Sequence, residues 1–173
     1  DNNLAFPSQI LCVTFTNKAA REMSERVQKL VSQNIEKMPW MGTFHSIGAK
    51  IIRNHAEVIG LKQSFTILDK DDQLSLIKQI IKAENLDQSQ FSPKLIQSKI
   101  DHWKNKALNS NDIKSESLDN LVDEKSLSIY KIYQARLFEI NCLDFGDLLL
   151  QCINLFKVTD IHKRYSNNFK YIH

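Results

Sequence analysis

Residues 10–27 read Ile10-Leu-Cys-Val-Thr-Phe-Thr-Asn-Lys-Ala-Ala-Arg-Glu-Met-Ser-Glu-Arg-Val27, a short apolar run that leads directly into an amphipathic pattern. The apolar and β-branched side chains of residues 10–16 predict a buried strand. After them, apolar side chains recur at three- and four-residue steps, which predicts a helix capped by Thr16 or Asn17. Phe15 then lies where the strand ends, and this edge of a parallel sheet is where α/β proteins bind ligands.

A second junction of the same kind follows in Met41-Gly-Thr-Phe-His-Ser46. We predict a strand over residues 38–44 and, after it, a helical segment that ends at Gly60 as its C-cap. Two successive strand–helix units at this spacing predict parallel βαβ pairing.

Both junctions combine hydroxyl side chains, helix-start amides and one aromatic residue, Phe15 in the first and Phe44 in the second. Amides and hydroxyls at helix starts bind phosphate oxygens, and aromatic side chains stack on unpaired bases. The residues alone leave a second interpretation open, in which both phenylalanines belong to the core and the hydroxyls only cap helices.

The middle of the chain, residues 62–142, is polar and mostly helical in pattern. Asp69 and Ser92-Pro93 are typical helix starts. A longer helix is predicted over residues 127–140, and residues 109–126 are predicted as loop and weak helix. We interpret the whole block as an all-α insertion.

Residues 143–173 return to the first pattern. An amphipathic helix is predicted over residues 144–156, a short helix over 161–167, and the beginning of a strand over 169–173. The predicted fold class is therefore α/β and mostly α. A partial parallel sheet with flanking helices occupies residues 1–61 and the final segment, with the insertion between them.

The composition sets only broad limits. A net charge of +3 over 173 residues weakly favours a polyanionic partner, and fits equally well a solvated surface with a small lysine excess. No apolar run approaches the roughly 20 residues that span a bilayer, and no signal peptide is recognisable. The cysteines have no metal-ligand spacing and suit a reducing compartment; they are Cys12, Cys142 and Cys152.

Nucleotide-binding and catalytic patterns are missing from the sequence. Residues 42–50 superficially resemble a phosphate-binding loop, but the second glycine is one residue late and no Lys-Ser/Thr pair follows it. No Asp-Glu pair follows an apolar strand, and His45 has no cysteine or serine at a supporting spacing. We therefore predict no catalytic or metal-binding residue, and no ATP hydrolysis by this chain alone.

A basic segment, residues 94–106, carries four lysines with His102 and Trp103. It could contact a duplex backbone, since lysines neutralise phosphates. The alternative is a solvated helix face with Trp103 in the core.

Five segments resemble, in order and spacing, motifs of UvrD/PcrA/Rep-type superfamily 1 DNA helicases. Thr14-Phe-Thr-Asn-Lys-Ala-Ala-Arg-Glu-Met23 resembles their second conserved motif, and Gly42-Thr-Phe-His-Ser46 resembles the next. Phe65-Thr-Ile-Leu-Asp69 resembles the start of their inserted helical subdomain, and Leu143-Asp-Phe-Gly-Asp-Leu-Leu149 the return to the first motor domain. Phe169-Lys-Tyr-Ile-His173 resembles the strand before their Walker B acids.

The resemblance implies a parent protein that couples ATP hydrolysis, with Mg²⁺, to 3′-to-5′ translocation on single-stranded DNA and unwinds duplex ahead of it. This chain would be part of the first RecA-like motor domain with its inserted helical subdomain. The P-loop is expected before Asp1 and the Walker B acids after His173, so this fragment is expected to bind neither ATP nor Mg²⁺. The expected partners are single-stranded DNA, ss/ds junctions and repair or replication proteins, in a bacterial cytoplasm at the nucleoid, with no membrane.

Position by position, the resemblance also implies which residues contact DNA. Those expected along the single strand are Phe15, Thr16, Asn17, Thr43, Phe44, His45 and Phe145. Lys104 and Asn105 fall where the inserted subdomain is expected to touch the duplex backbone. Two alternatives stay open: the motor part of a RecB/AddA-type helicase–nuclease, and a non-enzymatic DNA-binding module.

Overall fold

The computed structural model describes residues 5–30, 38–114, 118 and 120–173. Its main sheet has three parallel strands, with β1 (Ile10–Thr14) between β2 (Met41–Thr43) and β5 (Tyr171–Ile172). Because β1 and β2 run in the same direction, their carboxyl ends meet at one edge of the sheet. The predicted α/β class with parallel pairing is confirmed.

Four helices belong to this part of the molecule: α1 (Asn17–Leu30), α2 (Phe44–Asn54), α6 (Phe145–Phe156) and α7 (Thr159–Asn168). Short 3₁₀ turns cover Pro7–Gln9 and Ala56–Ile59. The helical segment predicted to end at Gly60 is divided, since α2 ends at Asn54 and Gly60 caps the separate second turn. Gly60 has φ +78°, a left-handed conformation that glycine adopts without strain. The core beneath the helices is aliphatic and aromatic, and includes Ile47, Ile51, Ile52, Phe65, Leu143, Leu148, Leu155 and Tyr165.

Three further helices form the block between Phe65 and Cys142: α3 (Lys70–Ala83), α4 (Pro93–Asn105) and α5 (Leu121–Glu139). Their apolar faces enclose a second core, which includes Ile77, Ile80, Ile81, Ile96, Ile100, Tyr130, Tyr133 and Leu137. The predicted cap of α3 is confirmed, since the Asp69 carboxylate accepts from the amides of Asp71 and Asp72, each at 2.9 Å.

The prediction of an all-α insertion missed two strands. β3 (Thr66–Leu68) pairs in parallel with β4 (Cys142–Asp144) and forms a separate two-stranded sheet. Each strand has only three residues, too few to show a period of two. The pairing forms because the helical block folds back and brings its two ends together.

Two further elements have a boundary that differs from prediction by more than two residues. The strand predicted over 38–44 is limited to Met41–Thr43, and Phe44 is already the first residue of α2. Helix α5 begins at Leu121, six residues before the predicted start, where the Asn120 side chain accepts from the amide of Asp123. Both differences follow from caps, which end a strand or begin a helix without altering the apolar pattern.

Candidate nucleic-acid interface

Phe15 and Phe44 lie together at the carboxyl edge of the main sheet. Phe15 is 86% exposed and Phe44 38% exposed, and their ring centroids are 5.1 Å apart. The interpretation of both residues as core is therefore wrong. Exposed apolar side chains that lie in contact with one another mark a candidate binding site, whereas single exposed apolar residues do not.

The hydroxyls beside these rings do cap helices. Thr16 Oγ1 accepts from the amide of Ala19 at 3.1 Å, and Thr43 Oγ1 accepts from the amide of Ser46 at 3.2 Å. Each cap fixes the first turn of its helix and turns the neighbouring aromatic outward. Thr16 is exposed, whereas Thr43 is buried.

A third strand end adds to the same surface. Phe145 follows β4 directly, is 46% exposed, and meets the His45 ring edge-on at 5.9 Å between centroids. We call Phe15, Phe44, His45 and Phe145 the aromatic strip. The structure thus brings together four predicted contact residues from three separate strand–helix junctions, and Asn17 is exposed at the start of α1 beside them.

Lys104 does not lie on the surface, and its prediction as a duplex contact is wrong. Its side chain is 0% exposed, and Nζ lies 2.7 Å from Asp144 Oδ2 and 2.8 Å from Asp147 Oδ1. The basic pattern of α4 gave no sign of this, because both partners follow forty or more residues later in the chain. Trp103 is half-buried and stacks on Tyr130 at 5.9 Å, as the alternative interpretation of this helix expected.

Asn105, the last residue of α4, is exposed. Its contact with duplex remains a prediction.

The buried carboxylates around Lys104 differ in their electrostatics. Burial alone would raise the pKa of Asp144, but the Lys104 charge and several hydrogen-bond donors outweigh burial and hold that pKa below its usual value. Burial, together with the charge of Asp144, raises the pKa of Asp147 in spite of Lys104. Burial opposes the charge of Lys104, yet the two carboxylates raise its pKa. The cluster therefore keeps a buried lysine charged.

Among the described residues, the segment that superficially resembles a phosphate-binding loop does not have the geometry of one. Within residues 42–50, Gly42 belongs to β2 and Lys50 to α2. Lys50 Nζ donates to the carbonyl of Pro39 at 2.5 Å and lies 4.7 Å from the centre of the Trp40 ring. The described ranges contain no group of three or more His, Cys, Asp or Glu side chains placed to hold a metal ion.

The described part of the chain has no helix that is both long and apolar enough to cross a membrane.

The fold and the strip define an α/β protein with a parallel sheet, a helical insertion and exposed aromatic residues at its strand ends. The chain belongs to the UvrD/REP helicase N-terminal domain family, whose family model matches residues 1–173. This confirms the family that the motifs predicted.

Curated relatives agree with this assignment. The chain is 43% identical over 168 residues to the ATP-dependent DNA helicase PcrA of Staphylococcus aureus strain Mu50. The matched region covers 96% of this chain and 23% of the relative. It is 40% identical over 169 residues to PcrA of Leuconostoc citreum, covering 97% of this chain and 22% of the relative. The chain therefore spans less than a quarter of the length of these relatives.

Proposed function

We propose that the complete protein is an ATP-dependent DNA helicase that moves 3′ to 5′ along single-stranded DNA and unwinds duplex. In this proposal the present chain supplies part of the grip on the single strand. The observation that carries it is the exposed Phe15 ring, 86% accessible and 5.1 Å from Phe44 at the carboxyl edge of the sheet. ATP and Mg²⁺ would be bound by residues other than those of this chain.

The aromatic strip would hold the strand by stacking. Base–aromatic stacking is worth roughly 1–3 kcal/mol per base and does not depend on sequence, because every base presents a π-face. A motor that must pass every sequence needs contacts of this kind. Phe15, with the most exposed ring, is the side chain we expect to stack most fully.

Hydroxyls and amides would hold the backbone between the stacked bases. Thr16 accepts from Ala19 with its oxygen, and its O–H remains able to donate to a phosphate oxygen. Thr43 is buried, so we assign it the role of orienting Phe44 as the cap of α2. Asn17, exposed in the first turn of α1, would approach the same phosphates.

Closure of two motor domains around ATP would move this grip relative to a second one and advance the strand. The chain's own contribution to that cycle is to bind and orient the bases. The PcrA names of the relatives favour this assignment over a helicase–nuclease. Repair or replication proteins at the bacterial nucleoid are its proposed partners.

The test compares Phe15→Ala with Phe6→Ala in the complete protein. Phe6 is also exposed, at 73%, but precedes the amino end of β1, so its substitution is chemically identical and distant from the strip. We expect Phe15→Ala to lower ATPase activity stimulated by oligothymidylate much more than the basal activity, with Phe6→Ala near wild type. Equal loss of stimulated and basal ATPase activity in a folded Phe15→Ala protein would contradict the proposal.

A further inference from the structure

Phe145 projects from the first turn of α6, in which Asp144 and Asp147 are buried. Asp144 is the N-cap of α6, and its carboxylate accepts from the amide of Asp147 at 2.9 Å. In return, the Asp147 carboxylate accepts from the amide of Asp144 at 3.2 Å. Both carboxylates are buried while Phe145 between them is exposed. The position of the Phe145 ring therefore depends on the geometry of this reciprocal cap.

Lys104 spans that turn from the other side. Its Nζ bonds both carboxylates, one on each side of Phe145. Its stem passes over Gly146, where a Cβ would lie only 2.9 Å from Lys104 Cδ. A glycine is thus needed at this position for the lysine to reach both partners.

The other side-chain donors to this turn also come from the helical block. Asp144 Oδ2 accepts from the O–H of Tyr133 on α5 at 2.8 Å and from the side-chain amide of Gln73 on α3 at 3.4 Å. Gln134 on α5 donates to Asp147 Oδ1 at 3.1 Å. Together with Lys104 on α4, all three helices of the block hold the first turn of α6.

We propose that Lys104 is a positioning residue, which fixes the first turn of α6 through Asp144 and Asp147 and so sets where Phe145 meets single-stranded DNA. The inference rests on the proposed function of the aromatic strip. It makes the helical block part of the single-strand grip without any DNA contact by Lys104 itself. A shift of the block against the sheet changes the place of Phe145 in the strip.

The first test uses two conservative substitutions on one helix. Tyr133→Phe removes only the donor to Asp144, whereas Tyr130→Phe removes a donor to the carbonyl of Leu108. We expect Tyr133→Phe to weaken oligothymidylate binding by the complete protein about two- to fivefold, and Tyr130→Phe to leave it unchanged. Fluorescence anisotropy gives the affinity, and thermal unfolding gives the stability of each variant. Equal affinities for the two variants would overturn the proposal.

The second test is a double-mutant cycle between Lys104→Met and Phe145→Ala. Phe145→Ala alone should weaken oligothymidylate binding by about fivefold or more. Lys104→Met should weaken binding in the wild-type background, but by less than about twofold once Phe145 is already alanine. A residue that only stabilised the fold would lower affinity equally in both backgrounds, and that result would overturn the positioning role.

These variants distinguish failure of the proposed function from failure of the positioning role of Lys104. If Phe15→Ala and Phe145→Ala both keep wild-type affinity, the proposed function fails and the positioning role fails with it. If both weaken binding while Lys104→Met is neutral or additive, only the positioning role is overturned. Should Lys104→Met not fold, the comparison of Tyr133→Phe with Tyr130→Phe still tests whether the buried hydrogen bonds to Asp144 set the place of Phe145.

Discussion

Replacing Lys104 with methionine should destabilise the junction of α4 and α6 by about 3–5 kcal/mol at neutral pH, since breaking a buried ion pair leaves an uncompensated charge. The side chains of Lys104, Asp144 and Asp147 are 0%, 3% and 0% exposed, so water cannot take the place of the lost cation. Methionine is similar in length and fills the space of the lysine stem. The loss therefore measures the charge rather than a cavity.

The deficit should depend on pH with a definite sign. In the wild-type protein the pKa of Asp144 is held below its usual value, so this group stabilises the fold above its unfolded pKa of about 3.9 and loses that contribution as pH falls through the folded pKa. Without Lys104, burial should raise the folded pKa of Asp144 above the unfolded value, and should raise further the pKa of Asp147, which is already above its usual value in the wild-type protein. The variant then takes up protons on folding, and its deficit shrinks as pH falls towards about 5.

Hydrogen exchange in the complete protein measures this locally. Amides of α4 and α6 should exchange about two to four orders of magnitude faster in Lys104→Met. The matched control is Lys99→Met on the same helix, since Lys99 pairs with Asp123 where the side chains are 28% and 14% exposed. That change should cost no more than about 1 kcal/mol. A Lys104→Met deficit no larger than the control, or one independent of pH, would contradict the presence of an uncompensated buried charge in this variant.

Three further substitutions test individual positions by the same exchange measurement or by thermal unfolding. Gly146→Ala should destabilise α6 by about 1–3 kcal/mol, because its Cβ would meet Lys104 Cδ at 2.9 Å; wild-type stability would mean that the lysine stem moves aside freely. Gly60→Ala meets no atom within 4 Å but has φ +78°, so a smaller loss of about 1 kcal/mol is expected from backbone strain alone. Asp69→Ala removes the acceptor for two amides of α3 and should cost about 1 kcal/mol, confined to that helix; loss spread over α6 would contradict a local cap.

Local features of this fold were predictable from the sequence, and distant pairings were not. The cap of α3 at Asp69 is set by one residue and its nearest amides, and it is confirmed. The prediction at Gly60 is confirmed only for its role as a C-cap, because the helical segment before it is divided into α2 and a separate 3₁₀ turn. The pairing of β3 with β4 joins segments more than seventy residues apart, and no local sequence pattern predicts that pairing. The prediction for Lys104 is wrong for the same reason, since the sequence near a lysine on a basic helix does not indicate a buried carboxylate partner distant in the chain.

The aromatic strip shows a limit of a different kind. Apolar residues at the end of an apolar strand favour a core position, and only the backbone direction after the strand decides where each ring points. For Phe44 and Phe145 the deciding residue is the N-cap just before them, Thr43 or Asp144. The side-chain oxygen of this cap accepts a hydrogen bond from a backbone N–H of the helix, and the side chain is buried. A hydroxyl cap at the second junction is one of the two interpretations that the sequence leaves open, whereas the cap at Asp144 and the effect of both caps on the neighbouring side chain required the structure.

The N-cap also explains how the segment around Phe145 combines two buried carboxylates with an exposed aromatic ring. In a reciprocal cap, the side chain of the N-cap and that of the third helical residue each bond the other's backbone amide and lie on one side of the turn. The first helical residue points away from that side. Asp144 and Asp147 therefore share one buried side with Lys104, and Phe145 takes the exposed side with His45. A strand end would place alternate residues on opposite faces without closing a reciprocal cap. It is the change from strand to helix at Asp144 that lets the helical block hold the turn from inside while its aromatic ring stays available outside.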